Sequence, residues 1–333
     1  MRNAIILAAG KGTRMKSELS KVMHPIIDRP MLAYIVEALQ SAGVERIILI
    51  VGYQAEQIQA AFPDLESALQ QPQLGTGHAV MQAAMLEGAD GDTLVINGDG
   101  PCIQPETIER LFEANKDASL TLLTSVLEDG AHYGRIVRDE SGQVLSITEA
   151  KDCSEEQKKI KEINAGIYCF KNKDLFEGLK ELTTDNAQHE YYLTDLVKIL
   201  NNKNKKVQGI VVKNQDEVMG INDCIELNKA YTWMRDTINT KWMKEGVQIV
   251  DPSRTVIGKD VIIGHDVIIH PNTEILGSSV IDDYAEILPG SYIKNSHIES
   301  DCIIDNSKIV DSDIEEGCVV GPMAYIQENK TIF

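Results

Sequence analysis

Seven isoleucines, at positions 257, 263, 269, 275, 281, 287 and 293, fall six residues apart without a break. The series runs on through Ile298, Ile304, Ile309, Ile314, Val320, Ile326 and Ile332 at steps of five or six. A helix cannot keep a period of six on one face, and a simple strand repeats every two residues. Short strands wound into a triangular prism fit the pattern: each apolar residue points inward, and Gly, Asn and polar residues take the corners. Residues 251–333 are therefore expected to form a parallel β-helix. At three hexads per coil they supply about 4.6 coils.

The first part of the chain has a different grammar. Apolar, strand-like runs at Asn3–Ala8, Arg46–Val51, Thr93–Asn97, Ser119–Ser125 and Ile163–Phe170 alternate with helical patterns. Those patterns cover Met31–Ala42, Ala55–Phe62, His78–Glu87 and Pro105–Lys116. The alternation predicts an α/β domain, residues 1–228, built on a mostly parallel sheet. Around the polar turn at Ser141-Gly142, the stretch Gly134–Ile147 reads as a hairpin. Residues 222–246 are almost free of glycine and mostly polar, which predicts a linker helix between two domains.

Directly after the first strand comes Leu7-Ala8-Ala9-Gly10-Lys11-Gly12-Thr13-Arg14-Met15. Small residues let backbone N–H groups approach a phosphate chain, and Lys11 and Arg14 add positive charge at the same point. The loop is neither a Walker A loop, which needs Gly-Lys-Ser/Thr, nor a dinucleotide loop, which needs a third glycine where Met15 stands. Lys21 follows in Leu19-Ser20-Lys21-Val22-Met23-His24-Pro25. Asp99, in Gly98-Asp99-Gly100-Pro101 at the end of a strand, is the best candidate for a hard-metal ligand. Taken by itself it has a turn or capping aspartate as its lesser alternative, and Asn222 could equally be the N-cap of the long helix.

The stretch Leu7–Pro25 resembles the signature of sugar-1-phosphate nucleotidyltransferases. Further stretches narrow the resemblance: Gln73-Leu74-Gly75-Thr76-Gly77-His78-Ala79, Gly98–Pro101, Glu162-Ile163-Asn164-Ala165-Gly166-Ile167-Tyr168, and Asn186–Asp195. Together they are similar to the bacterial N-acetylglucosamine-1-phosphate uridyltransferases, the N-terminal half of a bifunctional enzyme. The resemblance implies a Rossmann-like nucleotide-diphospho-sugar transferase domain followed by a left-handed β-helix. It also implies Mg2+-dependent uridylyl transfer from UTP to N-acetylglucosamine 1-phosphate. It assigns catalysis to Arg14 and Lys21, and metal binding to Asp99 and Asn222. Uracil falls to the backbone of Ala8, Ala9 and Gly10, with Gln70 and Gly75. Gln71 and Gln73 lie close enough to compete with Gln70. Thr76, Gly134, Glu149 and Asn164 fall to the sugar, and Leu7, Asn97 and Gly98 complete the substrate-binding set. Position 97 is Asn where some members have Tyr, so the sugar contact there is open.

Composition bounds the remaining possibilities. Lys plus Arg number 32 against 51 Asp plus Glu, a formal net charge of −19, which should repel nucleic acid and anionic membrane. No apolar run reaches the roughly 18 residues of a membrane span, so a cytoplasmic protein without membrane insertion is expected. The six scattered cysteines contain no C-x-x-C pair and read as reduced core thiols. His78, His189 and the other histidines show no metal-ligand spacing and read as structural.

In the family the coil trimerises, which implies a trimer or a monomer–trimer equilibrium. It also carries a second, acetyltransferase site further along. Gly321-Pro322-Met323-Ala324-Tyr325-Ile326-Gln327-Glu328 departs from the family's G-P-F-A-R-L-R-P, and Gln327 replaces an arginine expected to bind anionic substrate. With the shortened coil, this predicts no acetyl transfer. Two other readings stand: a related nucleotidyltransferase using another nucleotide or sugar, and a non-catalytic regulatory or scaffold subunit.

Overall fold

A computed structural model describes residues 1–333 apart from Ala131, Asn329 and Phe333. Unbroken apolar runs make strands buried on both faces, and the central sheet of the first unit is built from them. Its main path runs Val207–Val211, Leu120–Val126, Glu162–Lys171, Asp92–Asn97, Arg2–Ala8, Arg46–Val51 and Glu66–Leu69. Arg2–Ala8 is parallel to both of its neighbours, with Leu7 opposite Asn97 and Ala8 opposite Val51. Glu162–Lys171 alone on this path runs antiparallel to the strands beside it. The chain builds outward from the first strand on one side, then returns to pair on the other. That reversal opens a crevice beyond the carboxyl ends of Arg2–Ala8 and Asp92–Asn97, the place where ligands bind in open α/β sheets.

The predicted strands and the hairpin (Arg135–Arg138 with Val144–Thr148) form within a residue or two of their expected ends. The helix predicted over His78–Glu87 is different. It begins at Thr76, ends at Met81, and resumes only as a short 3-10 turn at Ala84–Leu86. Its start is set by tertiary contacts: Gly75 has φ 104°, and Gly77 N donates to Tyr191 O at 2.7 Å. The edge strands Glu66–Leu69 and Val207–Val211 carry weak apolar patterns because one side of each faces no neighbour. Two helices that sequence reading passed over, Asn172–Leu179 and Asp195–Asn202, pack their apolar faces on the same core.

The chain divides into two units, Met1–His24 with Pro30–Glu226, and Pro25–Arg29 with Leu227–Phe333. The small excursion Pro25–Arg29 joins the second because Asp28 Oδ2 accepts from Gly277 N at 3.0 Å and Arg29 Nη2 reaches Asp260 Oδ2 at 2.5 Å. The long helix runs Cys224–Lys244.

In the second unit, three parallel five-stranded sheets stack rung on rung. The isoleucines line the axis: Ile257, Ile275, Ile293 and Ile309 are fully buried and aligned in one column. Positions two residues earlier also point inward, so Thr255, Thr273, Ser291 and Ser307 are buried as well. Ser291 Oγ satisfies itself on the Leu288 carbonyl at 2.9 Å. Corners sit in the left-handed region at Asp266, Asn272, Asn295, Asp301 and Asn306, where short polar side chains tolerate positive φ. Where the period drops to five, a corner is one residue shorter while the columns stay in register. The first rung is Gln248–Ile249, earlier than residue 251. A 3-10 turn at Pro252–Arg254 interrupts the six-residue count there and hides that rung from a periodicity search.

Candidate active site

Two adjoining clefts, of about 250 and 360 Å3, open at the switch point of the sheet and share Leu7, Thr76, Asn97 and Asp99. The larger is floored by Leu7 to Gly10 and walled by Lys21, Gln70, Gln73 and Gly75. The smaller is lined by Gly134, Glu149, Asn164 and Asn222. Every residue expected to bind substrate lines one of them, except Gly98. Its N–H is spent on the Leu7 carbonyl at 2.9 Å, and a Cβ there would meet Val22 Cγ1 at 3.1 Å. Gly98 therefore lets the strand end pack tightly beside the clefts.

The glycine-rich loop does not start an α-helix. Gly12 takes φ 56°, Thr13–Met15 make one 3-10 turn, and a second turn covers Lys21–Met23. A Cβ on Gly12 would sit 2.6 Å from Lys21 Cβ, so this glycine lets the lysine side chain cross the loop. Lys21 Nζ then lies 2.5 Å from Asp99 Oδ2 and 3.3 Å from Asn222 Oδ1. Arg14 Nη2 donates to the same Asn222 oxygen at 2.8 Å. Arg14 lines neither cleft; its exposed guanidinium reaches the site through Asn222.

Asn222 is free for this because it is not the helix cap. Asp223 Oδ1 takes that position, accepting from Ile225 N and Glu226 N at 2.9 Å each. Glu226 Oε2 in turn accepts from the backbone N of Asn222, one residue before the cap, at 2.6 Å. Asp99 and Asn222 thus offer two oxygen donors around one cationic nitrogen. Among the described residues no cluster of three or more His, Cys, Asp or Glu could hold a metal. A pair of oxygen ligands completed by substrate phosphates is the pattern that suits Mg2+.

On the other side of the junction, a bulge does the positioning. The pairing of Glu162–Lys171 with its neighbour shifts register between Asn164 and Tyr168, where Gly166 takes φ 72°. A Cβ on Gly166 would lie 2.5 Å from Asn97 Nδ2, so glycine is needed for both backbone and space. Asn164 is locked at both ends of its amide: Nδ2 donates to Tyr168 Oη at 2.6 Å, and Oδ1 accepts from Gly166 N at 3.1 Å. Burial pushes the Tyr168 hydroxyl well up, so it stays protonated. Glu149 Oε1 accepts from Thr194 Oγ1 at 3.0 Å. Burial raises the Glu149 carboxyl above its ordinary value; the Thr194 bond opposes this, while Asp152 and Asp195 add to it.

Sequence reading missed Thr194, Tyr133 and Glu190, which also line the clefts. Thr194 and Glu190 lie in the Asn186–Asp195 stretch, and the structure gives that stretch its reason. Tyr191 N donates to Leu74 O at 2.8 Å and Leu193 N donates to Thr76 Oγ1 at 3.0 Å. The segment thereby pins the Gln73–Ala79 loop. Gln73 Nε2 bonds the Ala9 carbonyl and so braces the glycine-rich loop. Gln70 takes the buried wall position beside Gly75.

Residues 4–193 match the model of the MobA-like NTP transferase domain. The chain is 45% identical over 335 residues to the bifunctional protein GlmU of Geobacillus sp. strain WCH70, covering 99% of this chain and 73% of the relative. It is 44% identical to the protein of the same name from Exiguobacterium sp. strain AT1b, over 99% and 74% of the two chains. For the Enterococcus faecalis protein of that name the figures are 44%, 98% and 72%. A glycine-rich loop and a strand-end aspartate meeting at a sheet's switch point are what a nucleotidyltransferase needs, and with this likeness over nearly its whole length the chain belongs to the GlmU family.

Proposed function

We propose that this protein transfers the uridylyl group of UTP to N-acetylglucosamine 1-phosphate, giving UDP-N-acetylglucosamine and pyrophosphate for cell-envelope precursors in the cytoplasm. One observation carries the reading: Lys21, Asp99 and Asn222 converge where the two clefts join. A nucleotide in the larger cleft and a sugar phosphate in the smaller would bring their phosphates together there. A phosphate oxygen of the sugar attacks the α-phosphorus of UTP, and the bond to pyrophosphate breaks. The attacking group is already anionic at neutral pH, so no general base is required. The protein's work is to align two polyanions and neutralise their charge. Lys21 serves the reacting phosphates directly. Arg14 holds Asn222 and adds charge on the UTP side. Asp99 and Asn222 would hold Mg2+, which when bound supplies Lewis-acid neutralisation of the phosphates. Asn164 and Glu149 meet the sugar with rigid donors and acceptors.

The test is pyrophosphate release from UTP with N-acetylglucosamine 1-phosphate, set against other nucleotides and sugar phosphates, with and without Mg2+. Activity that requires both named substrates and the metal, and that falls sharply in Asp99→Asn with the fold intact, supports the reading. Near wild-type turnover of Asp99→Asn at low Mg2+ overturns the ligand assignment.

Assembly through the coil, as a trimer or a monomer–trimer equilibrium, belongs to the same proposal and is read by sedimentation. So does the absence of acetyl transfer by residues 251–333. Gln327 offers a neutral amide, engaged with Glu328 at 3.3 Å, where a cation would bind an anionic substrate. Enzyme-dependent release of CoA from acetyl-CoA with glucosamine 1-phosphate would overturn that part.

A further inference from the structure

We infer that His78 is a positioning residue for base selection: its bare Nδ1, together with the Gly75 carbonyl, fixes the Gln70 amide so that only an acceptor faces the nucleotide cleft. The inference rests on the reading of the larger cleft as the nucleotide site.

Gln70 is almost wholly buried, and one of its amide atoms lies 2.9 Å from the Gly75 carbonyl oxygen. A carbonyl can only accept, so that atom is the nitrogen Nε2 whichever way the amide might be drawn. The same nitrogen lies 3.3 Å from His78 Nδ1. If Nδ1 carries a lone pair, both amide hydrogens of Gln70 are used, one on Gly75 and one on His78. If Nδ1 carries a proton, two N–H groups face each other in a buried wall. The second ring nitrogen, Nε2, meets the amide of Gln82, 3.3 Å away, whose nitrogen also donates to the His78 carbonyl at 2.9 Å. The two glutamines therefore compete for one lone pair. Gln82 is part-exposed and can give its second hydrogen to water; buried Gln70 cannot. The lone pair belongs on Nδ1 and the ring proton on Nε2. The Tyr191 ring packs beside the imidazole, with centroids 6.3 Å apart and planes 28° from parallel.

With both hydrogens spent, the oxygen is the one polar atom the Gln70 side chain has left to offer the cleft it lines. An oxygen there pairs with a ring N–H, which uracil presents at N3. At the same position cytosine presents a lone pair and is repelled. Without His78 the Gly75 carbonyl alone would hold the amide, and a flip that admits cytosine would break one bond; with His78 it breaks two. His78 thus adds to the discrimination, although it lines neither cleft.

The test compares kcat/KM for UTP and CTP in the wild type, His78→Leu and His78→Asn. The leucine removes the acceptor; the asparagine can place Oδ1 where Nδ1 was. The UTP-to-CTP ratio should fall about tenfold in His78→Leu, through KM for the nucleotide, and stay within about threefold of wild type in His78→Asn. KM for the sugar phosphate should not move. An unchanged ratio in His78→Leu, or an equal loss in His78→Asn, overturns the inference. The 15N shifts of the His78 ring in the wild-type protein give a second measurement that no folding defect can spoil: an unprotonated Nδ1 supports it and a protonated Nδ1 overturns it. A wild-type enzyme indifferent to UTP and CTP overturns the underlying reading of the cleft, and this inference with it.

Discussion

The stacked coil and the nucleotidyltransferase unit bury apolar surface at different ranges along the chain. In the coil each inward residue meets neighbours 16 to 18 positions away, in the pairing Ile275 with Ile293 with Ile309 with Ile326. Its stability is close to a sum over repeats and nearest-neighbour interfaces. In the first unit, Asn222 accepts from Arg14 and Lys21, 208 and 201 residues earlier. A periodic fold can be read from a short window; a site closed by such distant partners cannot. The difference also predicts where substitutions act, on stability in one region and on catalysis in the other.

The largest expected effect on stability tests the coil. Ile275 is fully buried on the axis, while Ile262, also within a rung, is mostly exposed. Ile275→Ala should cost roughly 2–5 kcal/mol, as buried aliphatic truncations do, and Ile262→Ala under about 0.5 kcal/mol. Urea melts followed by probes in the coil would separate them. Equal costs would mean the prism is not what holds this region.

Lys21→Ala tests the other side of the comparison. Removing a cation aimed at phosphoryl charge should lower kcat on the order of 10²- to 10³-fold with little change in Tm. Arg14→Ala should lose less, since Arg14 acts through Asn222. Should Lys21→Ala instead melt early with kcat preserved, the Lys21–Asp99 pair is structural.

Gly166→Ala probes the bulge that joins the two regimes, a local backbone device with a long-range purpose. Positive φ and the approach of Asn97 should together cost on the order of 1–3 kcal/mol. KM for the sugar phosphate should rise as Asn97 and Asn164 move. A variant with normal KM would detach the bulge from sugar binding.

The smallest effect has the opposite sign. Because burial raises the Glu149 carboxyl, the folded state binds a proton more tightly than the unfolded chain. Stability from this group is therefore greatest below the ordinary carboxylate range and falls as pH rises through the raised value. Glu149→Gln should raise Tm slightly at neutral pH, lose that gain in acid, and weaken sugar-phosphate binding. Differential scanning calorimetry at two pH values, beside a KM measurement, decides it; a lower Tm at neutral pH would contradict the sign.

Much of the fold and part of the site were legible in the sequence. Cysteine usage gave the expected core thiols in part: Cys102, Cys169 and Cys302 are buried, and burial pushes the Cys102 thiol up to about 12. Cys224 is exposed at the head of the long helix. Asp99 could be found because it ends an apolar strand between two glycines. Thr194 could not, because a threonine at a helix start looks like a cap until the structure shows its hydroxyl on Glu149.

By itself the sequence determined the two architectures and the phosphate-binding character of the loop, since periodicity, strand–helix alternation and glycine spacing are local properties of the chain. Only the tertiary structure decided which of several eligible side chains does what. Asp223 caps the helix and leaves Asn222 to the site; Gln70 forms the buried wall while Gln73 braces the loop; Gly98 packs the strand end against Leu7 and Val22. These choices turn on hydrogen-bond partners brought together from distant positions, and one amide or carboxylate is chemically much like the next until its partner is in place.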